Sequence, residues 1–162
     1  MKILVICSSN VCRSPYAEFI LKKLVANNPI LSSNIEWVKS SAVFNKSKKI
    51  SKKTEKCLLN DGFSKEEIDK FKPSYKKSAN ETFNQADIII GMTKTHKILT
   101  PKKYRDKFLT LSEAAYGEYS PIPDPFLQNN FEKYSECMNI IKTALIEFCD
   151  KLEEQFSSKN KV

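Results

Sequence analysis

The chain has 162 residues, 41% hydrophobic and 28% charged, the composition of a globular protein. No run approaches the ~18 consecutive apolar residues of a membrane-spanning helix. The formal net charge of +8 comes almost wholly from lysine, Arg13 and Arg105 being the two arginines; without the arginine and aromatic interleaving of nucleic-acid readers, neither nucleic acid nor membrane is expected as a partner.

Lys2 to Cys7 is a short β-branched run, predicting a buried strand. It is too short for the ~7–15 residue apolar core of an export signal, which points to a cytoplasmic protein. Ser14-Pro15 then predicts an N-cap and first helical residue, and Ala17, Ile20, Leu21, Leu24 and Val25 repeat at helical spacing until Asn27-Asn28-Pro29. Ile35 to Ser40 predicts a second strand. The densest basic run, Lys46 to Lys53, falls on a loop and the start of a helix over Ile50 to Asn60, stopped by Asp61-Gly62. Ala86 to Met92, apolar almost throughout, predicts a strand covered on both faces. A short helix over Thr93 to Thr100 and a fourth strand over Phe108 to Leu111 follow. Ser112 to Leu127, with Gly117, Pro121, Pro123 and Pro125, predicts a loop. A long helix is expected from Asn130 to Phe156, with Phe131, Tyr134, Met138, Ile141, Leu145, Phe148 and Leu152 on its inner face.

Strands alternating with helices predict an α/β three-layer sandwich, a four-stranded parallel sheet flanked by helices, as one domain over residues 1–162. Such sheets bind ligands at the carboxyl ends of their strands, where Cys7 lies. Five cysteines is an odd number in a chain with no export signal, which argues against a disulfide framework. With His96 the single histidine and no C-x2-C pair, no metal and no cofactor is expected.

From Cys7 to Arg13 a strand feeds a short polar loop and then a helix N-terminus. Unpaired amides there form an anion site, aided by the helix dipole. Arg13 adds a planar fork able to grip two phosphate oxygens. The same positive field favours the thiolate of Cys7, to whose sulfur the Ser14 hydroxyl can donate. Thiolate and phosphate grip converge, so Cys7 is placed to attack phosphorus.

Cys7-Ser8-Ser9-Asn10-Val11-Cys12-Arg13-Ser14-Pro15 resembles the C-x-G-N-x-C-R-S-P loop of low-molecular-weight protein tyrosine phosphatases. Ala17-Glu18, Ser41-Ala42, the Ala86–Met92 strand and Asp124-Pro125-Phe126 resemble further family segments. The resemblance implies a flavodoxin-like, phosphotyrosine phosphatase I type fold and a monomer acting on phosphotyrosine in proteins. It implies Cys7 as the nucleophile of a phosphocysteine intermediate, a phosphate-binding loop over Ser8 to Ser14, and support from Asn10, Ser14 and Ser41. Asp124 is then the general acid, later the base for water. Phe126, and less strongly Phe44, are expected as pocket walls. Cys12, in the same curled loop, is the expected redox partner of Cys7.

There are departures. Ser9 and Val43 stand where the family has glycines, and no histidine lies between Pro73 and Ser78 to support Asn10. Arsenate reduction needs cysteines just after the third strand, and none lies between Cys57 and Cys137. Phosphoarginine hydrolysis is the alternative substrate reading, against which Val11 stands where that relative has threonine. A phosphate-binding module with little turnover is the alternative from outside enzymology.

Overall fold

In the computed structural model, which describes residues 1–159, the sheet is built around β1 (Lys2–Cys7). It is flanked by β2 (Trp37–Ala42) on one side and β3 (Ile88–Gly91) on the other, with β4 (Phe108–Thr110) at the far edge. All pairings are parallel, with Val5 opposite Ser40, Cys7 opposite Ala42 and Ile6 opposite Gly91. A central parallel strand is covered on both faces, which is why Ile3, Leu4, Val5 and Ile6 are all apolar and fully buried. Each such side chain contributes about 1.5–3 kcal/mol of burial.

Helices close both faces. Against Ile3, Val5 and Ile90 pack α1 (Arg13–Ala26) and the 29-residue α8 (Phe131–Lys159). They are joined by α2 (Pro29–Asn34), α3 (Lys52–Asn60), α4 (Lys65–Lys70) and α7 (Leu111–Tyr116). Against Leu4, Ile6 and Ile89 pack Phe83 of α5 (Asn80–Gln85), and Tyr104 from a 3-10 turn over Lys102–Lys107. The remaining helix, α6 (Lys94–Leu99), follows β3 directly. The expected inner face of α8 is buried from Tyr134 to Leu152, with Phe131 half-buried. Residues 160–162 of the expected domain lie outside the described residues.

Two local expectations are corrected. Ser14 is not the N-cap of α1. The helix begins at Arg13, the cap residue is Cys12 with no side-chain cap bond, and the Ser14 hydroxyl turns towards Cys7. Ser112 to Leu127 is not wholly loop either. Thr110 and Glu113 form a capping box that starts α7, Gly117 at φ 82° ends it, and a 3-10 turn spans Pro125–Leu127. The three prolines all follow Gly117, so they shape the return to α8 and leave the helix intact. Among the described residues no helix is long and apolar enough to cross a membrane.

Candidate active site

The strand ends at Cys7, and the next five residues curl back to the start of α1. That reversal needs one residue in the left-handed region, and Asn10 takes it with φ 55°. Asparagine tolerates this conformation better than any residue except glycine. The turn aims the Asn10 amide at the Cys7 sulfur, with N to Sγ 3.3 Å. The Ser14 hydroxyl donates to the same sulfur at 3.0 Å. Two donors on one buried sulfur are the surroundings a thiolate requires.

The fully buried Asn10 side chain holds the loop in place. Its Nδ2 donates to Ser14 Oγ at 2.9 Å and to Ser40 Oγ at 2.8 Å, and its Oδ1 accepts from the Ser74 amide at 2.8 Å. Because Ser14 Oγ accepts from Asn10, its own proton is free to point at sulfur. The Ser40 hydroxyl donates to Glu18 Oε2 at 2.6 Å, and Lys22 pairs with Glu18 Oε1. The expected brace, Ser41, lies elsewhere: its hydroxyl approaches Ala42 O and Ser74 Oγ. Successive side chains of a strand point to opposite faces, so only one of the two neighbouring serines can meet Asn10. The backbone N–H of Ser74 bonds Asn10 in the segment that has no histidine.

Neither glycine replacement strains the loop. Asn10 is the non-glycine residue with positive φ among the described residues, so Ser9 pays no dihedral penalty, and its hydroxyl accepts from Asn45 Nδ2 at 3.2 Å. Val43 is fully buried beside Leu4 and Ile6.

Arg13, 4% exposed, faces the loop from the first turn of α1. Its Nη1 donates to Ile122 O at 3.2 Å and its Nη2 to Asp124 Oδ2 at 2.8 Å; its buried Nε has no partner among the described residues. Asp124 Oδ1 caps the Pro125–Leu127 turn through the Phe126 amide at 3.1 Å. This segment is anchored at both ends, by Ile122 N to Met92 O and by Lys53 to the Gln128 carbonyl. Together these elements enclose a cleft of about 260 Å³ lined by Cys7, Ser8, Ser9, Val11, Cys12, Arg13 and Asp124, with Phe44, Asn45 and Phe126 around it. Phe44 and Phe126 are 60% and 71% exposed, so both present ring surface to solvent. Cys12 is buried, close to the hydroxyls of Tyr134 and Ser51, and burial pushes its thiol pKa up.

One residue of this neighbourhood escaped the sequence reading. His96 is buried at the start of α6, where its Nδ1 accepts from the Met92 and Thr93 amides at 3.1 and 3.2 Å. Two donors at Nδ1 leave the ring proton on Nε2, which donates to Ser8 Oγ at 3.2 Å. Burial, and secondarily the Arg13 charge, push its pKa down from 6.5 to about 4. The sequence signal was the chain's single histidine, four residues past the Met92 that ends the predicted third strand.

The family described as low molecular weight phosphotyrosine protein phosphatase matches residues 2–158. The low molecular weight protein-tyrosine-phosphatase PtpB of Staphylococcus epidermidis is 30% identical over 155 residues, 94% of this chain and 97% of that protein. A protein-arginine-phosphatase of Bacillus subtilis is 26% identical over 158 residues, covering 95% and 98%. Among solved structures, the YwlE arginine phosphatase from Geobacillus stearothermophilus aligns with a TM-score of 0.80 at 26% identity, covering 95% of this chain and 94% of that one. With the match running nearly end to end, the chain belongs to the low molecular weight phosphotyrosine protein phosphatase family.

Proposed function

We propose that this chain hydrolyses phosphotyrosine in proteins, with Cys7 as nucleophile, Arg13 as phosphate clamp and Asp124 as general acid and base. The observation that carries the reading is the meeting of three groups in one cleft: a twice hydrogen-bonded sulfur, a buried guanidinium with an unpartnered Nε, and a carboxyl held beside that guanidinium. The phosphate enters against the guanidinium and the first-turn amides of α1. It competes with Asp124 for Nη2, which frees the carboxyl to face the leaving oxygen. Cys7 Sγ attacks phosphorus, the P–O bond breaks, and Asp124 delivers its proton to the departing phenolate. Water then attacks the thiophosphate, Asp124 takes its proton, and the Cys7 thiolate leaves with inorganic phosphate as product.

The phenolic substrate is favoured by the walls. Val11, Phe44 and Phe126 offer apolar and aromatic surface to a ring, and among the described residues Asp124 is the one carboxylate lining the cleft, already engaged by Arg13. A phosphoarginine guanidinium asks for more negative charge than that. Five free cysteines fit a cytoplasmic setting, where we infer that the enzyme works as a monomer. The test is turnover of matched phosphotyrosine, phosphoserine and phosphoarginine peptides, with Cys7→Ser as the blank. The phosphotyrosine peptide should be hydrolysed fastest and the blank should be inactive. Equal turnover by Cys7→Ser overturns the nucleophile, and a faster phosphoarginine peptide overturns the substrate.

A further inference from the structure

Apart from Lys53, which holds the Gln128 end of the Asp124 segment, the basic run Lys46 to Lys53 has no part in the chemistry above, yet it lies against the cleft. The segment Phe44 to Ser51 is tied to the phosphate loop at both ends. At one end the Phe44 and Asn45 amides donate to Ser8 O at 3.0 and 2.9 Å, and Asn45 Nδ2 donates to Ser9 Oγ. At the other, the Ser51 amide donates to Val11 O at 2.9 Å. A chain advances at most ~3.6 Å per residue, so the peptide between these ties strays no further than about 10 Å from the loop. Within it Lys46, Lys48 and Lys49 are exposed, and none pairs with a carboxylate among the described residues.

The run continues into the first turn of α3 with Lys52 and Lys53. Positive charge at a helix N-terminus opposes the helix dipole, so the helix itself does not call for lysine there; Lys53 is taken up by the Gln128 carbonyl, which leaves Lys52 beside the exposed run. The acidic residue of that turn, Glu55, pairs with Lys65 instead. Among the described residues, the five lysines of these eight residues thus stand without a carboxylate partner, one edge of them a few residues from Phe44 at the cleft.

We infer that Lys46, Lys48 and Lys49 form a recognition rim that selects phosphotyrosine sites flanked by acidic residues. The inference rests on the phosphatase reading and names the substrate subclass of the same site. Three residues of an extended peptide span about 10 Å, the same reach as the tethered segment, so Asp or Glu within three positions of the phosphotyrosine meets the rim. Exposed pairs are individually weak, and two of them give about a 5–10-fold preference at low salt. The preference should lie in KM, because the rim holds the peptide equally before and during reaction.

The experiment compares two phosphotyrosine peptides of equal length, one with two Asp within three residues of the phosphotyrosine and one with Ala there. Their kcat/KM ratio is measured at 20 mM and 1 M salt, for the wild type and for Lys46→Glu/Lys48→Glu/Lys49→Glu. A small aryl phosphate run alongside reports whether the variant is folded and active. The same peptides are titrated into Cys7→Ser protein by fluorescence anisotropy, so the rim is read without turnover. The inference expects the acidic peptide to lead about 5–10-fold at low salt and to lose that lead at 1 M, where the screening length is about 3 Å. The triple variant should bring the ratio to one or below. Equal use and equal binding of both peptides by the wild type overturns the rim, as does a preference that survives charge reversal. Absence of aryl phosphate turnover by the wild type would instead count against the phosphatase reading, leaving the anisotropy ratio to decide the rim.

Discussion

The buried imidazole of His96 makes stability depend on pH in a window where few other groups titrate. Its pKa in the folded protein is about 4, against an ordinary 6.5. Above pH 6.5 the ring is neutral in both folded and unfolded chains, and it imposes no pH dependence. As pH falls below 6.5 the unfolded chain takes up a proton that the folded protein refuses, so stability is lost progressively. The loss is complete near pH 4, where the folded form protonates too. At 1.36 kcal/mol per pH unit, the interval from 6.5 to 4 amounts to about 3 kcal/mol, a large share of an ordinary stability of ~5–15 kcal/mol. Protonation at Nδ1 sets a third N–H against the Met92 and Thr93 amides, which is why the folded protein resists it. The perturbation is His96→Gln, which removes the titrating group and keeps an amide. Urea unfolding of both proteins is followed at pH 7.5, 6.5, 5.5 and 4.5. Carboxylates titrate alike in the two and cancel in the difference. The wild type should be the more stable at pH 7.5, and its advantage should shrink by about 2–3 kcal/mol by pH 4.5. Parallel stability curves would show that His96 is not buried in its neutral form and would refute the tautomer assignment with it.

Asp124→Asn should lower kcat by about 10²–10⁴-fold, most for substrates with poor leaving groups; an equal loss across phenols of very different acidity would show that Asp124 only positions its loop. Asn10→Ala removes three hydrogen bonds, two of them buried, at about 1 kcal/mol each and leaves alanine at φ 55°, so unfolding should be easier by about 3–4 kcal/mol, read from urea unfolding. Ser40→Ala should slow turnover more than Ser41→Ala, a comparison of steady-state rates that fails if the two are equal. Peroxide should oxidise Cys7 to a sulfenic acid, which condenses with the Cys12 thiol to a disulfide and water; dithiothreitol then restores activity. Cys12→Ser should lose that recovery, and because burial raises the Cys12 pKa, bridging should be faster at pH 9 than at pH 7.

Much of the site was legible because it is local. Strand, loop, arginine and helix start lie within the stretch from Lys2 to Pro15, and the apolar run, the polar curl and the helical spacing are each written in neighbouring residues. The order of elements was legible for the same reason, and α7 should have been, since Thr110 and Glu113 spell a capping box that the later prolines obscured. Chain-distant contacts were not legible. His96 reaches Ser8 because β3 pairs beside β1 with Gly91 opposite Ile6, which brings residues 88 apart to one strand edge. The choice of Ser40 over Ser41 turns on the alternation of β2 and the pairing of Val5 with Ser40, a one-residue difference that composition does not carry. Asp124 was singled out by its motif, but its bond to Arg13 depends on Met92 and Lys53 holding the returning loop. Hydrogen bonds and periodicity within a segment are properties of contiguous residues, whereas which segments meet is decided by the parallel crossovers that bury the sheet.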